Sequence, residues 1–268
     1  MKKTHLIILS LFLTSAIIIT ATVITYKALT VPKSKKYVVE TIEANSKGYI
    51  KVGIISDAQL PQEEKNLYGW DYATVMNGAD HLIKALKYYK SQNVDMIVFN
   101  GDMVNATGDY AAYSAYNKIL DYVYGEDRAE APHIIYPMGN HEFYGGNQEH
   151  NFYKSTGLPL NTRTIVNGYS FISISNSKLE KGDEELAESN DTLADGTYNE
   201  KRIEFLKEQL AAANTEDPNK PIFVFIHMPI SNIVNGGHWA TPQYEEIYSI
   251  LKEYPQAVVF TGHSHHCM

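Results

Sequence analysis

Cysteine is almost missing from this sequence: Cys267 is the only one in 268 residues. That excludes an intrachain disulfide framework. It also excludes a zinc cage of thiolates, which needs several cysteines at fixed spacing. With one thiol, cysteine usage says nothing about redox compartment. Basic residues are outnumbered too, with 23 Lys and Arg against 31 Asp and Glu and a formal net charge of −8. A nucleic-acid scaffold normally presents a basic patch, so that role is not expected. No internal repeat is visible, which argues against solenoids and propellers.

What remains is a chain of ample length that is 44% hydrophobic, enough for one α/β domain with a real core. Met1-Lys2-Lys3 precedes an uncharged run from Leu6 to Tyr26, close to the ~20 residues that a membrane-spanning helix needs. A cleaved secretory signal would share the basic start and apolar centre, with small residues at Thr14-Ser15-Ala16. Ile17-Ile18-Ile19 carries the run past that point, which favours an uncleaved signal anchor. Residues 1–28 are thus expected as a hydrophobic helix, with the remainder membrane-anchored outside the cytoplasm, or secreted if the segment is cut. Residues 29–48 are Lys-rich, contain Pro32 and suit a linker, although Val38, Val39 and Ile42 fit a short edge strand. The main domain is expected over 49–268.

Inside it, apolar strands alternate with amphipathic helices, the pattern of an α/β sheet covered by helices. Leu82, Ala85, Leu86 and Tyr89 recur at helical spacing and predict a helix over 72–91. Tyr113, Tyr116, Ile119, Leu120 and Val123 predict a second, stopped by Gly125. Ile203, Leu206 and Leu210 mark a third ending before Asn214, and a fourth is expected over 242–254. Residues 164–175 alternate around Asn167-Gly168 and read as a hairpin. The acid-rich stretch 178–200 reads as a solvated loop. The 20 tyrosines fall mainly on helix faces and strand edges, so packing explains them better than a binding stripe.

The strands share one feature. Val52-Gly53-Ile54-Ile55-Ser56 leads into Asp57, and Met96-Ile97-Val98-Phe99-Asn100 into Gly101-Asp102. His133-Ile134-Ile135-Tyr136-Pro137 is followed by Gly139-Asn140-His141-Glu142. Ile222-Phe223-Val224-Phe225-Ile226 leads into His227, and Ala257-Val258-Val259-Phe260 into Thr261-Gly262-His263-Ser264-His265. Five strands each delivering Asp, Asn or His at their C-terminal ends describe a converging site. Oxygen and imidazole donors suit divalent or trivalent Mn, Fe or Zn. A two-metal centre needs a bridging carboxylate and roughly three further ligands per ion, with positions left open. Asp102 is the natural bridge, because Gly101 before it permits a tight turn. His5, His81, His133 and His150 have no such partner pattern. His238 lies in a loop after a ligand strand, His266 abuts the last motif, and Asn105 either supports Asp102 or caps the next helix.

Asp57-Ala58-Gln59, Gly101-Asp102-Met103-Val104-Asn105, Gly139-Asn140-His141-Glu142, His227 and Gly262-His263-Ser264-His265 resemble the ordered motifs of the calcineurin-like metallophosphoesterases. The resemblance covers about residues 50 to 266. It implies a four-layer sandwich of two mixed β-sheets flanked by α-helices, and hydrolysis of a small phosphomonoester or phosphodiester. By the same resemblance, Asp57, Gln59 and His265 hold a first metal ion, Asn140, His227 and His263 a second, and Asp102 both. A hydroxide activated by the pair attacks phosphorus, His141 assists the leaving group, and Glu142 orients the His141 ring. Two departures stand out. Gln59 replaces the usual histidine and is a weaker donor, which predicts a weaker first site. Relatives usually continue past the last histidine pair with strands that complete a sheet, so a truncated member with His265 loosely held is expected. The alternative within the same fold is a catalytically silent, membrane-anchored binding domain.

Overall fold

The computed structural model describes residues 33–45, 48–60, 72–105, 112–143, 148–177, 196–230, 241 and 243–265. The expected hydrophobic helix within 1–28, most of the acid-rich stretch, and His238 and His266 lie outside them. Among the described residues no helix is long and apolar enough to cross a membrane.

Among the described residues eight strands form two sheets: β1 (Tyr37–Ile42), β2 (Val52–Ile55), β3 (Met96–Phe99), β4 (His133–Ile135), β5 (Asn161–Val166), β6 (Tyr169–Ile174), β7 (Ile222–Ile226) and β8 (Ala257–Phe260). The helices are a single turn, α1 (Lys33–Lys36), then α2 (Tyr72–Gln92), α3 (Ala112–Tyr124), α4 (Gln148–Thr156), α5 (Glu200–Glu216) and α6 (Tyr244–Leu251). One sheet has the order β2-β3-β4 and the other β1-β5-β6-β7-β8. The larger sheet is mixed, because the Asn167-Gly168 turn folds β6 antiparallel onto β5 while the other pairings are parallel. The expectation of two mixed sheets is corrected for the smaller one. Its strands are all parallel, since α2 and α3 carry the chain back between them.

Three apolar cores separate the layers. In β3, Ile97 and Phe99 point toward α2 and α3 and join Leu82, Leu86, Tyr116 and Leu120. Met96 and Val98, on its other face, meet Val166, Phe171 and Phe225 of the larger sheet. The far face of that sheet, with Ile172, Val224 and Ile226, packs on Leu206 and Leu210 of α5 and Ile247 of α6. Helices, sheet, sheet and helices therefore follow one another. All four residues of β3 are buried, as a strand covered on both faces requires. Leu86 is wholly buried, and truncating such a side chain to alanine costs about 2–5 kcal/mol.

Local boundaries differ from expectation in instructive ways. The stretch read as a linker supplies β1, which pairs with β5 along its full length, so the compact unit begins at Lys33 and not near Tyr49. A lone apolar alternation is a weak signal when its partner strand lies more than 120 residues away. Helix α5 starts at a cap, Asn199, whose side chain accepts from the Arg202 amide, and runs past Asn214 to Glu216. Helix α6 is shorter than 242–254. Helix α4 has few apolar positions and was not expected.

Candidate metal centre

Strands β2, β3 and β4 are parallel, and so are β6, β7 and β8, so the loops leaving each set gather at one end of their sheet. Ligands of open α/β sheets bind outside such carboxyl ends. The two sets meet. The His263 amide donates to both Asp57 carboxylate oxygens, at 3.1 and 3.0 Å, joining the β8 exit to the β2 exit. The His141 amide donates to Asp102 Oδ1 at 2.9 Å, joining the β4 and β3 exits. His227 Nε2 stands 3.0 Å from Asp102 Oδ2 and 3.9 Å from Asp57 Oδ1. His265 Nε2 lies 3.1 Å from Asp57 Oδ1, so the last motif is tied to the first. Gln59 Nε2 sits 3.3 Å from the Nε2 atoms of both His141 and His265.

The backbone at these loops is unusual. Among the described residues eight non-glycine residues have positive φ, and five are Asp57, Gln59, Asp102, His263 and His265. A non-glycine residue pays roughly 1–2 kcal/mol for that region, and such strain persists where the surroundings dictate it. Gly101, at φ +85°, makes the turn beneath Asp102. Gly139 is demanded by close approach: a Cβ there would come 2.2 Å from Asp102 Oδ1 and 2.7 Å from the His227 ring. The loop carrying Asn140, itself buried, is thereby held against Asp102 and His227.

The centre of the cluster is Asp102, His227 and His263, whose donor atoms all lie within 4.8 Å of one another. Asp102 and His227 are fully buried. Their 3.0 Å separation is an ion-pair distance poorly aligned for a hydrogen bond, and neither atom has another hydrogen-bond partner. His227 Nδ1 donates to the Asn100 carbonyl at 2.8 Å, which leaves Nε2 as the atom facing the carboxylate. Two buried polar atoms that face each other with no other partner are the arrangement expected of ligands that share an ion. Aspartate oxygen with two imidazole nitrogens suits Mn, Fe or Zn.

Charge follows from this packing. Burial opposes an imidazolium at His227, but Asp102 and Asp57 overcome it and push its pKa up to about 10. Burial would raise Asp102, yet His227 and then His141 hold its carboxyl well below the usual range. His263 is pushed down to about 4, by burial first and the neighbouring His227 second. The hydrogen bond to Asp57 raises His265.

Glu142 does not do what was expected of it. The His141 ring meets the Asn105 carbonyl through Nδ1, so that carbonyl orients it. Glu142 is fully buried and accepts the amides of Asp102 (3.0 Å), Met103 (2.9 Å), Val104 (3.4 Å) and Gly139 (2.7 Å), and the Tyr136 hydroxyl (2.8 Å). It staples the β3 and β4 exit loops together. Burial, then Asp102, raises its pKa. Asn105 thus supports His141 through its backbone carbonyl. The sequence reading also missed Ser56, whose hydroxyl donates to Asp57 Oδ2 at 2.5 Å, and the side chain of Asn100. A polar residue closing an otherwise apolar strand was the available signal for Asn100. His81 is exposed on α2, and His133 pairs with Glu40 at 3.2 Å, away from this cluster.

No curated protein sequence matches the chain. Among solved structures, a dimetal phosphatase from Danio rerio is similar in fold, with a TM-score of 0.59 and 18% identity over 81% of this chain and 82% of that one. A family model described as calcineurin-like phosphoesterase matches residues 50–267. With those residues covering every strand but β1 and every motif gathered at the joint C-terminal edge of the two sheets, the chain belongs to the calcineurin-like phosphoesterase family.

Proposed function

We propose that this protein is a metal-dependent hydrolase of small phosphomonoesters or phosphodiesters. Asp57, Gln59 and His265 would hold a first ion, Asn140, His227 and His263 a second, and Asp102 would be shared. The observation that carries the reading is the buried pair of Asp102 Oδ2 and His227 Nε2, 3.0 Å apart and with no other hydrogen-bond partner, with His263 beside it. The similar fold of a protein described as a dimetal phosphatase agrees with two ions. Bound there, divalent or trivalent Mn, Fe or Zn would acidify water and neutralise charge building on the phosphoryl oxygens.

The chain's own groups supply the rest. His141 is partly exposed, at 16% of its side chain, so a substrate can reach it. The Asn105 carbonyl fixes its Nδ1–H, leaving Nε2 to serve the leaving oxygen. Glu142 keeps the two loops from moving apart. By the same proposal the domain works outside the cytoplasm, held to a membrane through the apolar run from Leu6 to Tyr26.

Hydrolysis of an aryl phosphate and an aryl phosphodiester, with Mn, Fe or Zn added, tests this. Turnover on at least one substrate is expected, falling by roughly 10³-fold or more in Asp102→Ala, since removing one member of a working site costs that order. A folded, metal-loaded protein inert on both would leave a silent binding domain as the better reading.

A further inference from the structure

One residue touches every strand exit that feeds the cluster except that of β4, and it is not among the proposed ligands. Asn100 closes β3 and is 1% exposed. Its amide donates to the Ile55 carbonyl of β2 at 2.7 Å. Its carbonyl accepts from the Ser56 hydroxyl at 3.0 Å and from His227 Nδ1 at 2.8 Å. Its side-chain nitrogen reaches across to the other sheet, donating to Ile226 O of β7 at 3.4 Å and Phe260 O of β8 at 3.3 Å. The carbonyls it reaches end the two strands that deliver His227 and His263.

From these contacts we infer that Asn100 is the positioning residue of the metal centre, setting the register of one sheet against the other so that donors from both meet. The physical need is plain. Asp57 and Asp102 leave the three-stranded sheet, whereas His227 and His263 leave the five-stranded one. The interface between the sheets is Met96, Val98 and Ile135 against Val166, Phe171 and Phe225. Apolar contacts of that kind are non-directional and tolerate small sliding. Metal ligation does not, because a misplacement of about 1 Å at a working site costs on the order of 10²-fold. Directional bonds from one buried amide to two carbonyls of the opposite sheet supply what the apolar interface lacks. The same residue's carbonyl fixes the His227 ring, and outer partners of ligating histidines are worth about 10–100-fold in metal affinity.

This inference rests on the metal-site reading above, and the test separates the two. Manganese(II) alone is titrated calorimetrically into wild type, Asn100→Leu, Asn100→Ser and Val98→Ala, with thermal unfolding of each metal-free protein as the companion measurement. Leucine keeps the volume and removes both donors. Val98→Ala weakens the same sheet interface two residues earlier without touching a polar contact of the site. The expected result is a roughly 10–100-fold loss of manganese affinity in both Asn100 variants. Val98→Ala should stay within about twofold of wild type while melting lower, as a core truncation does. Affinity that tracks melting temperature alike in all variants overturns the inference, as do unaltered affinity in Asn100→Leu and failure of both Asn100 variants to fold. Wild type that binds no manganese overturns the metal reading itself.

Discussion

Glu142→Gln separates a carboxylate that staples two loops from one that tunes a histidine. Oε1 of Glu142 accepts from Met103, Val104 and Tyr136, and Oε2 from Asp102 and Gly139. A glutamine amide turns one oxygen into a donor facing donors. In either orientation at least two hydrogen bonds are lost and their buried N–H groups stranded. Each stranded group costs about 1–3 kcal/mol, for a sum of roughly 2–6 kcal/mol. Relief of repulsion between Glu142 and Asp102 offsets part of that, so a net loss of about 2–4 kcal/mol is expected. For a domain of this size that lowers the melting temperature by roughly 5–15 °C. The assay is thermal and denaturant unfolding of the metal-free protein, read beside turnover. A variant that unfolds within about 0.5 kcal/mol of wild type yet loses turnover would refute the staple and restore the role of orienting His141.

Three further outcomes follow from the same geometry. Gly139→Ala should abolish tight manganese binding, because the new Cβ would sit 2.2 Å from Asp102 Oδ1 and 2.8 Å from the Asp102 backbone nitrogen; calorimetry showing normal affinity would contradict the packing. The metal-free ion pair should also give stability a defined pH window. His227, raised from 6.5 to about 10, contributes fully below pH 6.5 and loses its contribution as pH rises through about 10. Asp102, lowered from 3.8, contributes above that value and loses its contribution as pH falls toward its folded pKa. The pair is therefore strongest between pH 3.8 and 6.5. Since an ion must displace the His227 proton, manganese affinity should rise about tenfold per pH unit between roughly pH 6 and 9; a flat calorimetric profile would refute this.

Much of this was legible because strand exits are local. An apolar run that stops at Asp57 or His227 announces both the strand and the side chain it delivers, and the Asn167-Gly168 turn fixes its own hairpin. Long-range facts were not legible. The pairing of β1 with β5 depends on residues far apart in sequence. Glu142 follows His141 directly, so adjacency suggested contact. In the short helical turn from His141 to Phe143 the carboxylate instead points inward, to the amides of Met103 and Gly139. Asn100 was visible as a letter but not as a link, because its partners Ile226 and Phe260 belong to the other sheet.

The left-handed conformations at Asp57, Gln59, Asp102, His263 and His265 bear on how such a chain can change. A side chain at each position must satisfy the backbone as well as the ion, and Asn and Asp are the non-glycine residues most at ease there. Replacement by another donor is thus narrowed twice over, once by coordination and once by torsion. A descendant released from its metals would gain stability by drifting to glycine at these positions, so glycines there would record the loss of the activity.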